Sequence, residues 1–195
     1  MLHPSFHTVC KGIEPEAAAA EEARQRGLDV ETGFFPNDLR DPGAYDIIVF
    51  NDVFEHLPLP SSIIKEAARL LNSRGILVIN LPSSAGILFK TASILDALGW
   101  SSWHERLWQK NFLSPHLSYF NPENLKRLVE QYPNLTRVNT FSLPSVARDG
   151  LAARISTSHR SGAGLIALAG LWAFSFFLPM LPSDIHVSVF QKSSS

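Results

Sequence analysis

Cysteine is nearly absent from this 195-residue chain: Cys10 is the only one, so no disulfide can close within it, which fits a reducing compartment. Excess charge of either sign is absent too. Seventeen Lys and Arg stand against eighteen Asp and Glu, a net charge of -1, so binding to nucleic acid through an overall positive field is excluded and no nucleic-acid partner is expected. The opening residues MLHPSFHTVCKGIEPE show no charged-then-apolar leader. There is no internal repeat, and no low-complexity tract beyond Ser193–Ser195. Cys10 falls in an expected short strand and reads as an inert, buried thiol.

What is present points to one sizeable domain. Apolar residues make up 45% of the chain and charged ones 18%, a globular rather than a disordered balance. The organising stretch is Y-D-I-I-V-F-N-D-V-F-E-H-L at 45–57. Ile47, Ile48, Val49 and Phe50 read as a strand buried on both faces, as in a parallel sheet covered by helices. Just past it stand Asn51, Asp52, Glu55 and His56, where open α/β sheets bind ligands. A plainer role for Asp52 and Glu55, charging a helix N-terminus, stays open.

The flanking pattern alternates strand and helix. His7–Ile13 is a short strand ending at Glu14, and E-A-A-A-A-E-E-A-R-Q-R at 16–26 is a strong helix former, with Pro15 at its start and Gly27 at its end. Leu28–Gly33 is a second strand, and 61–71 a helix whose apolar residues recur at helical spacing. Gly75–Pro82 is another doubly buried strand. A helix is expected over 85–98, then an irregular aromatic stretch over 99–120 with Trp100, Trp103, Trp108, Phe112, Tyr119 and Phe120. Asn121 is placed to cap a helix running to Tyr132, and Leu135–Leu143 reads as a strand. Strand and helix in this rhythm imply a parallel sheet with right-handed crossovers.

Four segments carry a family resemblance: G-I-E-P at 12–15, the stretch at 45–57, A-R-L-L-N-S-R-G-I-L-V-I-N-L-P at 68–82, and H-L-S-Y-F-N-P-E-N-L at 116–125. In order and spacing they resemble the class I S-adenosylmethionine-dependent methyltransferases, most closely the broad group that includes the ubiquinone-biosynthesis O-methyltransferases. The resemblance implies a Rossmann-like α/β fold, a mostly parallel sheet with helices on both faces. It implies methyl transfer from S-adenosyl-L-methionine to a small-molecule acceptor, here a lipophilic, hydroxyl-bearing one. Glu14 would accept hydrogen bonds from the cofactor's ribose hydroxyls, Gly33 and Phe34 would lie near the adenine, and Asn51 and Asp52 near the methionine portion. Phe34 stands where the family often has an acid, with Asp38 further on. His56 or His116 would take the acceptor's proton. In some relatives a cluster corresponding to Asp52, Glu55, His56 and His116 binds a divalent metal such as Mg²⁺, Mn²⁺ or Zn²⁺. The alternative for both histidines is structural, His56 in the sheet-to-helix corner and His116 orienting the aromatic residues.

Two features depart from the family. Its first strand and G-x-G-x-G loop do not precede the G-I-E-P segment, so an N-terminally incomplete methyltransferase with weakened cofactor binding is expected. The alternative is a non-catalytic remnant serving as a binding or membrane-associated module. Ser161–Ser183 is also free of charge and strongly apolar. The expected organisation is a partial methyltransferase domain over 1–160, with 99–120 as an aromatic cover. A hydrophobic helix over 161–182 follows, packed on the domain or associated with a membrane through 163–181, and then a last strand and tail over 183–195. A cytoplasmic, membrane-associated location follows from that organisation.

Overall fold

A computed structural model of the chain describes residues 9–39, 45–110, 114–143 and 182–194. It divides into two compact units, Met1–Ala44 and Tyr45–Ser195.

In the first unit, β1 (Lys11–Glu14) and β2 (Asp29–Thr32) pair in parallel, with Glu14 opposite Thr32. The crossover between them is helix α1 (Ala17–Gln25), built from the alanine-rich run and buried through Ala20. The helix starts after Glu16, so Pro15 lies just outside it rather than at its first position. Gly27 ends it with φ +82°, a conformation that costs glycine nothing. Cys10 precedes β1 and is exposed, which overturns the expectation of a buried thiol: the strand begins one residue later.

The second unit is a four-stranded sheet in the order β3-β4-β6-β5. Here β3 is Tyr45–Asn51, β4 Leu71–Pro82, β5 Leu135–Leu143 and β6 Ile185–Lys192. β3 and β4 run parallel, joined through α2 (Pro60–Leu70), and β6 lies antiparallel between β4 and β5. Leu77, Ile79 and Leu81 stand opposite Phe190, Ser188 and His186, and all six are buried. Ile63, Ile64, Ala67 and Leu70 of α2 and Leu125 and Val129 of α5 (Pro122–Val129) complete the core, α2 packing on β4 and on α5. Lys192 fastens the sheet to α2: its Nζ donates to the carbonyls of Ala68 and Leu71 at 2.7 and 2.6 Å, where the helix's negative end favours a cation.

β3 is not buried on both faces. Phe50 is buried, but Ile47 is 59% and Val49 56% exposed. The apolar run correctly marks a strand, but periodicity alone carries no information on what covers its second face. The stretch after α3 (Ile87–Ala97) is less irregular than expected, because Ser102–Leu107 forms a short helix, α4. No helix among the described residues is long and apolar enough to cross a membrane. The expectations for 144–160 and for the apolar run over 161–181 lie outside the described residues.

Candidate functional site

In the first unit the parallel strands end side by side, and this brings Glu14, Gly33 and Phe34 together. The N–H of Gly33 donates to the Glu14 carbonyl at 3.0 Å. The Glu14 carboxylate accepts from the N–H of Glu16 at 2.9 Å, so one of its oxygens tethers the start of α1. Asp38 accepts from the N–H of Phe34 at 2.8 Å, closing the turn after β2. Gly33 has φ +154°, and a Cβ there would overlap the Cβ of Asp38, so only glycine fits the turn. The Phe34 ring is largely exposed.

In the second unit the polar residues after β3 separate into two groups. Asn51 stands opposite Asn80 at the carboxyl ends of β3 and β4, and the Asn80 amide donates to Asn51 Oδ1 at 2.8 Å. Asp52 turns the chain out of the strand with φ +51°, an uncommon conformation outside glycine, and its N–H donates to the Asn80 carbonyl at 3.0 Å. The Asp52 side chain is exposed.

A 3-10 turn, Phe54–His56, forms the second group. Phe54 is fully buried against the rings of Phe50 and Phe120 and anchors the turn. The segment 114–120 then closes over it. The N–H groups of Leu117 and Ser118 donate to the Glu55 carbonyl at 2.8 and 3.2 Å. His56 Nδ1 is 3.0 Å from the Pro115 carbonyl and 3.2 Å from Ser114 Oγ. Because a carbonyl only accepts, the network assigns the proton of neutral His56 to Nδ1. The rings of His56 and His116 meet edge to face with centroids 4.7 Å apart.

Beside these rings lies Glu55, 2% exposed, with Oε1 3.9 Å from His56 Nε2 and Oε2 buried without a hydrogen-bond partner. Burial is the main force raising its carboxyl above the ordinary range, reinforced by the charge of Asp52 and opposed by His56. Burial also lowers His116, with His56 adding to the effect and the Leu107 carbonyl opposing it. One donor atom each from Glu55, His56 and His116 lies within 4.8 Å of the others. Asp52 is not part of this grouping, so the structure assembles three of the four expected ligand positions. A buried carboxylate with one orphaned oxygen, beside two imidazoles, is a set that a divalent cation would satisfy, and the donors suit Zn²⁺ or Mn²⁺ better than the all-oxygen preference of Mg²⁺.

Aromatic residues continue the cluster outward. Tyr119 packs against His116, Trp108 and Phe89, with centroids 5.3, 5.0 and 4.7 Å apart. Its hydroxyl is 2.8 Å from His116 Nδ1 and donates to the Leu107 carbonyl at 2.8 Å. Burial, with Glu55 nearby, pushes this phenol up to about 12. Trp108 Nε1 donates to His104 Nε2 at 3.1 Å. The sequence marks Tyr119 only as one aromatic among many. The readable signal was its place three residues after His116.

The arrangement can be set against known proteins. No curated protein sequence matches the chain. Among solved structures, a protein from Galdieria sulphuraria assigned as a sarcosine dimethylglycine methyltransferase is 18% identical. That match covers 97% of this chain and 71% of that one, with a TM-score of 0.59. A SAM-dependent methyltransferase from Thermotoga maritima is also 18% identical, covering 94% and 72%, with a TM-score of 0.60. The N-methyltransferase NodS from Bradyrhizobium japonicum, solved with S-adenosyl-L-homocysteine, is 13% identical over 93% and 65%, with a TM-score of 0.50. At these identities the likeness is one of fold, α/β and Rossmann-like. A family model described as a methyltransferase domain matches residues 1–133, the greater part of the chain and every residue of the two clusters above. The chain therefore belongs to the methyltransferase-domain family.

Proposed function

We propose that the chain serves methyl transfer from S-adenosyl-L-methionine to a small, lipophilic, hydroxyl-bearing acceptor, with the Glu55, His56 and His116 cluster as the place where the acceptor's hydroxyl is deprotonated. The observation that carries this reading is the pair of facing imidazoles beside a buried carboxylate, just past the end of β3. The sulfonium of the cofactor already makes its methyl group electrophilic, so the protein's work is alignment, exclusion of water and removal of one proton. His56 keeps its own proton on Nδ1 toward Pro115 and offers the Nε2 lone pair to the acceptor's hydroxyl proton. His116 stands opposite it as the second base, and its low proton affinity keeps it neutral and ready at neutral pH. Phe89, Trp108 and Tyr119 give the apolar surroundings that a lipophilic acceptor prefers.

For the cofactor we assign Glu14 to the ribose hydroxyls, Gly33 and Phe34 to the neighbourhood of the adenine, and Asn51 with Asp52 to the methionine portion. One Glu14 oxygen is already used by the Glu16 N–H, and the carboxylate keeps a second for a hydroxyl. As an alternative to the two imidazoles acting as bases, Glu55, His56 and His116 are the residues that would hold a divalent cation, which as a Lewis acid would lower the hydroxyl's proton affinity in their place. Titration of the full chain with Mn²⁺ or Zn²⁺ checks this: binding is expected, and its loss in Glu55→Gln.

The reading is tested by transfer of a labelled methyl group to a panel of hydroxyl- and amine-bearing acceptors, beside calorimetric titration with the cofactor. Transfer to a hydroxyl acceptor is expected, falling on the order of 100-fold in His116→Ala with cofactor affinity unchanged. Transfer confined to amines, or unaffected by replacing both histidines, would overturn it.

A further inference from the structure

The hydroxyl of Tyr119 lies 2.8 Å from His116 Nδ1 and 2.8 Å from the carbonyl oxygen of Leu107. A phenol carries one hydrogen, and a carbonyl has none to give. The hydroxyl hydrogen therefore goes to Leu107, and toward the imidazole the phenol oxygen can only accept. The bond to His116 exists only if Nδ1 carries the proton. We propose that Tyr119 is a positioning residue, which together with the Leu107 carbonyl holds the proton of neutral His116 on Nδ1 and leaves the lone pair on Nε2. This rests on the reading of His116 as a base for the acceptor and deepens it, since an imidazole with its proton on Nε2 would offer no lone pair there.

The same segment fixes His116 by a second route. The His116 backbone N–H donates to the Trp108 carbonyl at 3.1 Å. Leu107 is the last residue of α4 and Trp108 follows it, so the end of that short helix holds both the main chain and the ring of His116. The Tyr119 ring is itself wedged against Phe89 and Trp108. A shift of the aromatic stretch would thus move the proton-holding contact as well as the apolar wall. His56 is arranged in parallel, with Nδ1 against Pro115 instead of a phenol. The two rings reach the same tautomer by different partners, so a change at Tyr119 should alter one and spare the other.

The experiment is a long-range proton–nitrogen correlation of the imidazoles in the full, nitrogen-labelled chain, at a pH where they are neutral. A His116→Gln variant identifies the His116 signals. Wild type is expected to show a protonated Nδ1 and a bare Nε2 on His116. Tyr119→Phe keeps the ring contacts and should move the His116 proton wholly or partly to Nε2 while His56 keeps its pattern. A wild-type spectrum with the proton on Nε2 would overturn the proposal without recourse to any variant, as would a Tyr119→Phe spectrum unchanged at His116. The spectra read the tautomer whether or not a methyl acceptor is found, so failure here is distinct from failure of the proposed function. Where transfer is measured, Tyr119→Phe should lower kcat roughly 10- to 100-fold at constant KM. A rise in KM with constant kcat would assign Tyr119 to acceptor binding instead.

Discussion

At the scale of single residues, the most informative group is Glu55. A carboxylate sealed from water with an unpartnered oxygen is destabilising while ionised. Its folded-state proton affinity is raised, so the stability it contributes is complete below about pH 4.5, its ordinary value, and declines as pH rises through the raised one. In chelator, Glu55→Gln should therefore gain stability over wild type across that rise, by roughly 1–3 kcal/mol at neutral pH. Urea denaturation at several pH values measures this. At the other candidate cluster, Gly33→Ala should destabilise the first unit by roughly 1–3 kcal/mol, because its Cβ meets Asp38 in a backbone conformation that side chains avoid. Hydrogen exchange of the β1–β2 amides would show it. His56 could be picked out from the sequence because an imidazole just past a buried strand is a chemical signal, whereas the roles of Glu14 and His116 came from the family resemblance. Tyr119 could not be assigned its role, since that role depends on the Leu107 carbonyl twelve residues earlier, which no side-chain pattern encodes.

At the scale of elements, the sequence was most legible where local chemistry decides. Asn121 and Pro122 announce the start of α5. The structure adds a reciprocal pair in which Asn121 accepts from the N–H of Asn124 at 2.9 Å while the Asn124 side chain accepts from the N–H of Asn121 at 2.7 Å. Asn121→Ala should cost about 1 kcal/mol, read as a lowered melting temperature. α4 escaped notice because S-W-H-E-R-L mixes residues of middling helix propensity and spans under two turns. The strand β3 was found from its apolar run, but the exposure of Ile47 and Val49 was not, because a run of apolar residues states a preference for burial and says nothing of whether a neighbour supplies it.

At the scale of the whole molecule, β6 stitches β4 to β5 and carries a buried histidine near its start. His186 is 2% exposed, with neither ring nitrogen hydrogen-bonded. Burial, helped by the charge of Arg137, pushes it from 6.5 down to about 4. The unfolded chain therefore takes up a proton below about pH 6.5 that the folded one refuses until about pH 4, and stability falls as pH drops through that window. The full fall is about 3 kcal/mol at most, on the scale of 1.4 kcal/mol per pKa unit. His186→Leu should remove this part of the acid limb, measurable as a flatter dependence of the denaturation midpoint on pH. The α/β alternation that defines the fold was readable in the sequence. The inverted β6 was recognised as a strand from D-I-H-V-S-V-F-Q-K, but its pairing with β5 depends on contacts some fifty residues apart.

The clamp of 114–118 on the 3-10 turn has a kinetic corollary. Two amides and one ring nitrogen find their partners about sixty residues away in sequence, so these three bonds close only once β4, α3 and α4 have been traversed, whereas the turn itself closes locally through the His56 N–H and the Val53 carbonyl. The amide protons of Leu117 and Ser118, which share the Glu55 carbonyl, should consequently exchange together, as one late-closing latch, and their common rate would time the assembly of the reaction centre.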